Sequence, residues 1–128
     1  MAAADFGAPA SLLASGVTVH YGVEFAVVEG FRPLLVDLYV PDPGAASGAA
    51  IVYLHGGAWL RGSRLDVAYP APAVTRRGAV LVVPDFDNVS VVPLPKMIEQ
   101  CREAVDWTVS HAASFGGDPA CVLSLIHI

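Results

Sequence analysis

Ile51-Val52-Tyr53-Leu54-His55-Gly56-Gly57-Ala58-Trp59 decides how the rest of the chain is read. It is a short apolar run that halts at His-Gly-Gly, and a run of that length bounded by glycine predicts a buried strand rather than a helix. Two successive glycines let the backbone turn sharply and approach a bound group with no Cβ in the way. That leaves N–H groups directed at one spot. An oxyanion suits such a spot.

Downstream, Leu65 to Arg77 has the alanine content and apolar spacing of a helix, which Pro70 and Pro72 shorten or kink. Ala79-Val80-Leu81-Val82-Val83-Pro84 is apolar without alternation, as expected of a parallel strand covered on both faces. A further helix opens at Pro95, a residue tolerated in a first helical turn, and sets Met97, Cys101, Ala104, Val105, Thr108 and Ala112 along one side. Glu99, Glu103 and Asp106 mostly face away, so this helix is expected to pack on a sheet. Gly116-Gly117-Asp118-Pro119 ends it, and Cys121 to Ile126 reads as one more strand. Upstream, Val17–Tyr21 and Leu34–Val40 predict two strands of a hairpin, closed off by Pro41-Asp42-Pro43-Gly44. Ala45 to Ala50 is a small-residue loop. Met1 to Gly16 lacks periodicity and is expected to be a flexible arm. The order β-β-β-α-β-α-β predicts an α/β fold whose sheet is mostly parallel after an antiparallel start, with helices on both faces.

Composition sets bounds on function. The chain has 128 residues, 55% hydrophobic and 15% charged, enough for one domain with one sizeable core. Its net charge of -5, with Lys96 the only lysine, offers no basic stripe, so neither nucleic acid nor an acidic membrane surface is expected as a partner. No apolar run approaches the ~20 residues of a membrane span, and the first basic residue, Arg32, comes too late for a signal peptide. A soluble, cytoplasmic protein is the expectation. Cys101 and Cys121 lack C-x-x-C spacing and read as reduced, buried thiols. His20, His111 and His127 are scattered without ligand spacing, so neither metal nor cofactor is assigned.

His55-Gly56-Gly57-Ala58-Trp59, Val82-Val83-Pro84-Asp85-Phe86-Asp87, Gln100 with Ala104-Val105-Asp106-Trp107, and Phe115-Gly116-Gly117-Asp118-Pro119 together resemble the α/β-hydrolase fold. Within it the chain is most similar to the kynurenine formamidase-like (arylformamidase) and carboxylesterase branch, whose members carry His-Gly-Gly-x-Trp. The likeness spans residues 17–122 and corresponds to the N-terminal half of a typical member. It implies acyl transfer: a serine on a strand-to-helix elbow attacks an ester or formamide carbonyl, helped by a histidine and an aspartate. Gly56, Gly57 and Ala58 would then supply oxyanion-hole N–H groups, each worth about 3 to 4 kcal/mol of transition-state stabilisation. His55 would fix that loop, and Trp59 would wall the acyl pocket of a small-molecule ester or amide. A hydrogen-bonded core histidine and an aromatic anchor under a loop are the plainer readings of the same two residues.

The chain departs from the resembled pattern in two places. Where formamidase-like relatives show Asn-Tyr-Asp-Leu-x-Pro, it has Asp85-Phe86-Asp87-Asn88-Val89-Ser90. The two carboxylates of that stretch read as a solvated loop capping the next helix, with acid/base work or a metal as the sharper alternative. Where the family runs into Gly-x-Ser-x-Gly, the chain gives Leu123-Ser124-Leu125-Ile126-His127-Ile128. Ser124 has no flanking glycines, and the elbow serine would fall at Ile128. Those residues are what the transposase-end adapter CTGTCTCTTATACACATC encodes codon by codon, so residues 123–128 are expected to be a non-native tail on a partial domain, inactive as it stands. A non-catalytic small-molecule-binding module on the same fold is the alternative. A nucleotide-binding sheet ranks third, since neither G-x-G-x-x-G nor G-x-x-x-x-G-K-[ST] occurs.

Overall fold

The computed structural model describes residues 16–28 and 32–126. The expected arm before Gly16 and the last two residues of the tail lie outside them. Five strands form one sheet: β1 (Thr18–Val28), β2 (Arg32–Val40), β3 (Ala50–Leu54), β4 (Val80–Pro84) and β5 (Val122–Ile126), in the spatial order β1-β2-β4-β3-β5. β1 pairs antiparallel with β2 and β2 antiparallel with β4, whereas β4 with β3 and β3 with β5 are parallel. An antiparallel entry thus leads into a parallel centre.

Among the described residues two α-helices cover the sheet. α1 (Ala71–Arg76) follows β3, and α2 (Leu94–His111) links β4 to β5. The two-residue period of the strands divides the core between the faces. Tyr39, Tyr53, Leu81 and Val83 pack with Val67, Ala68 and Ala71 on the α1 side. Val36, Leu38, Val52, Val80 and Val82 pack with Ala112, Phe115 and part of α2 on the other. All five residues of β4 are buried, which is why that run shows no alternation.

Several elements differ from the sequence reading, each for a local reason. β1 runs on to Val28 because Gly22 takes φ +64° and two register shifts, at His20/Val23 and Glu24/Ala26, keep the strand paired through an apparent break. The single helix expected over Leu65 to Arg77 is two pieces, a 3-10 turn at Arg64–Val67 and α1. Pro70 is the N-cap of α1, with Pro72 in its first turn, where a missing N–H leaves no intrahelical bond unmade. α2 begins one residue before Pro95, and a 3-10 turn at Ala112–Phe115 extends it to Gly116, which caps it at φ +83°. Cys121 precedes β5 rather than lying within it, and it is exposed while Cys101 is half-buried; both are free thiols. Among the described residues no helix is long and apolar enough to cross a membrane.

Candidate active site

The loop after β3 is built from backbone that side chains disfavour. Gly57 takes φ +133°, Ala58 +54° and Trp59 +64°, three successive residues with positive φ, two of them not glycine. Such conformations cost about 1 to 3 kcal/mol each and persist only where the surroundings fix them. Here the surroundings are specific. A Cβ on Gly57 would lie 1.9 Å from the Arg61 carbonyl oxygen, and one on Gly62 would lie 2.3 Å from the Gly56 oxygen. The outgoing and returning legs of the loop are therefore in backbone contact. The Gly57 carbonyl accepts from the N–H groups of Leu60 and Arg61 at 3.1 and 3.2 Å. Among the described residues, the N–H groups of Gly56, Gly57 and Ala58 have no hydrogen-bond acceptor.

His55 ends β3 and is 5% exposed. Its ring stacks on Phe86 with centroids 4.2 Å apart, and Nδ1 lies 2.9 Å from the Gly56 carbonyl oxygen. A carbonyl accepts only, so this contact makes Nδ1 the protonated nitrogen and leaves Nε2 as a buried acceptor without a partner. Trp59 is 67% exposed, which excludes the reading of an aromatic anchor buried under the loop. Its carbonyl accepts from Val89 N–H at 2.8 Å and ties the glycine loop to the segment after β4.

That segment carries the two carboxylates, and both are ion-paired rather than capping a helix in solvent; the N-cap of α2 is Pro93, with no side-chain cap. Asp85 accepts from the Arg64 backbone N–H at 2.7 Å and from its guanidinium. Asp87 accepts from Arg32 Nη1 at 2.9 Å and from Gln100 Nε2 at 3.0 Å, while Gln100 Oε1 accepts from Asp87 N–H at 2.7 Å. The hydrogen bond from Arg32 holds the Asp87 carboxyl below its ordinary value, with burial opposing and Gln100 assisting. Arg64 also donates from Nε to Oδ1 of Asp37, a carboxylate 1% exposed within β2, at 2.9 Å. Burial works against the charge of Arg64, but its hydrogen bonds to Asp85 and Asp37 outweigh it and raise the guanidinium further above its ordinary value. The sequence reading weighed Asp85 but missed Arg64 and Asp37, although a lone aspartate inside the apolar run Leu34–Val40 was a signal that a partner must exist.

A cavity of about 660 Å³ opens beside the loop, lined by Gly56, Gly57, Ala58 and Trp59 on one side and by α2 and the end of β5 on the others. The five residues singled out from the sequence, His55 to Trp59, thus all border one space. Two nucleophile-type side chains border it as well. Burial pushes the Cys101 thiol up to about 11, which keeps it neutral near pH 7. Ser124 has no hydrogen bond to a histidine among the described residues.

Known proteins resemble this chain in sequence and in fold. A probable isoprenylcysteine alpha-carbonyl methylesterase of Oryza sativa subsp. japonica is 27% identical over 95 residues, 73% of this chain and 22% of its own length. Kynurenine formamidase of Salmo salar is 26% identical over 86 residues, 67% of this chain and 29% of its own. A thermophilic esterase of Thermogutta terrifontis, solved with butyrate bound, superposes at TM-score 0.73 and 26% identity over 87% of this chain and 40% of its own. The chain thus spans well under half the length of each. These neighbours carry the α/β-hydrolase fold, and the sheet described above is its N-terminal part. Residues 36–125, from β2 to β5, match the BD-FAE family, and the chain belongs to that family.

Proposed function

We propose that Gly56, Gly57 and Ala58 are the oxyanion-hole donors of a serine hydrolase acting on carboxylic esters, with His55 fixing the loop and Trp59 walling the acyl pocket. The observation that carries this reading is the set of three N–H groups without acceptors, on a loop with positive φ at the carboxyl end of a parallel strand, bordering the cavity. Ligands bind at that edge in open α/β sheets. As an ester carbonyl becomes tetrahedral its oxygen takes on negative charge, and fixed N–H dipoles in a water-poor site stabilise that charge more than they stabilise the ground state.

The nucleophile is a different matter. No Gly-x-Ser-x-Gly occurs in the 128 residues, Cys101 is neutral, and Ser124 has no base among the described residues. These residues alone therefore form the receiving half of the site, inactive by itself, and serine, aspartate and histidine come from sequence beyond them. The butyrate in the superposed esterase favours an ester, while the likeness to a formamidase keeps N-formyl amides as the second substrate class. The purified 128-residue chain is expected to hydrolyse p-nitrophenyl butyrate and N-formylkynurenine no faster than buffer. Stoichiometric labelling of one serine by a reactive phosphonate, together with turnover, would overturn this division of the site.

A further inference from the structure

We propose that Arg64 is the positioning residue of the glycine loop, clamping its returning leg to β2 and to the segment after β4 at once. The inference rests on the oxyanion reading of Gly56–Ala58 and adds to it the group that holds those N–H donors in place. Three observations lead to it. First, the two legs touch: nothing larger than hydrogen fits at Gly62 between the Gly56 carbonyl and the His55 ring, whose Nδ1 would be 2.6 Å from an added Cβ. Any drift of Gly62 therefore moves Gly56 and Gly57. Second, the returning leg is anchored just beyond Gly62, at Arg64, through three separate groups. Its backbone N–H and Nη1 engage Asp85 after β4, and its Nε engages Asp37 in β2. A guanidinium can meet two carboxylates from different segments in one plane, whereas an ammonium on a flexible stem cannot hold both directions.

Third, the anchor is in low-dielectric surroundings. Asp37 is 1% exposed, takes a second hydrogen bond from Gly22 N–H at 2.8 Å, and keeps its other oxygen buried without a partner. Removing Arg64 leaves that carboxylate buried and uncompensated beside Asp85, which forces the cluster to admit water or rearrange. The loop, held in its disfavoured φ region by contact with this leg, is then free to relax. Arg32, in the neighbouring pair with Asp87, is 45% exposed and engages neither Asp37 nor Asp85 in the bonds that hold Arg64, so it serves as the control.

The test uses Arg64→Met, Arg64→Lys and the control Arg32→Met, with two independent readouts. Amide exchange at Leu60 and Arg61, both bonded to the Gly57 carbonyl, is expected to quicken at least tenfold in Arg64→Met, less in Arg64→Lys, and not in Arg32→Met, while the amides of β4 keep their protection. Unchanged exchange at Leu60 and Arg61 in Arg64→Met overturns the proposal whether or not any hydrolysis is seen. In the protein from the complete reading frame, p-nitrophenyl butyrate turnover per titrated active site is expected to fall ten- to a hundredfold in kcat for Arg64→Met, with KM within about threefold and partial rescue by lysine. A wild-type protein without turnover would refute the oxyanion reading while leaving the exchange result to judge the clamp. Equal kcat per active site in wild type and Arg64→Met would refute the clamp alone.

Discussion

β4 and β5 are both five-residue, almost wholly apolar strands pairing in parallel with β3, yet one is buried at every position and the other at none. Val80–Pro84 lies between β2 and β3 and under both helices. Val122–Ile126 forms the sheet edge, with Leu123, Leu125 and Ile126 at 63, 49 and 57% exposed. Hydrophobicity makes a strand, but its neighbours decide whether that apolar surface leaves water. A parallel strand with an open edge and two apolar faces is a template for further pairing.

The largest expected effect of this contrast lies in stability. Leu81→Ala, at a site with no exposure, should cost about 2 to 5 kcal/mol in urea unfolding, whereas Leu123→Ala should stay within about 1 kcal/mol. Equal costs would mean that β5 is covered in solution. Association is the next consequence. The isolated chain is expected to self-associate through β5, and lysine at both Leu123 and Leu125 should shift size-exclusion elution toward the monomer. A sharp, concentration-independent monomer peak from the unsubstituted chain would contradict the open edge.

The smallest effect concerns the segment after β4. Because Arg32 lowers the folded-state value of Asp87 below its unfolded value, the pair stabilises the fold at pH above the ordinary carboxylate range. That contribution fades below about pH 4, as acid protonates Asp87. Arg32→Met should therefore cost under about 1 kcal/mol near neutrality, since Arg32 is 45% exposed, and should flatten the acid limb of the Tm–pH profile. An unchanged acid limb would show that the pair is not formed.

The same contrast explains what the sequence made legible. Runs such as Ile51–Leu54 and Val80–Val83, and the apolar stripe from Met97 to Ala112, carry their own periodicity, so the strands, α2 and the glycine loop could be read from local pattern. Partners distant in sequence could not. Asp85 and Asp87 looked like solvated caps because Arg64 and Arg32 stand 21 and 55 residues away. Trp59 gave no sign of its positive φ, which depends on the Arg61–Gly62 leg folding back against Gly56. Pro70 and Pro72 showed that the expected helix would be disturbed, but not that Arg64 would start a separate turn from Ser63, whose hydroxyl accepts from Leu65 N–H at 3.2 Å.

The central claim is that these residues present an oxyanion loop to a nucleophile at the end of β5, and reading the source gene past the Val122 codon tests it most directly. A strand of about five residues after Asp118-Pro119 reaches the edge where Gly56–Ala58 lie. The expected reading is a few apolar residues after Val122, then Gly-x-Ser-x-Gly, then a further hundred or so residues supplying an aspartate and a histidine in that order. A stop codon directly after Ile128 would contradict it and leave a binding module on the same fold.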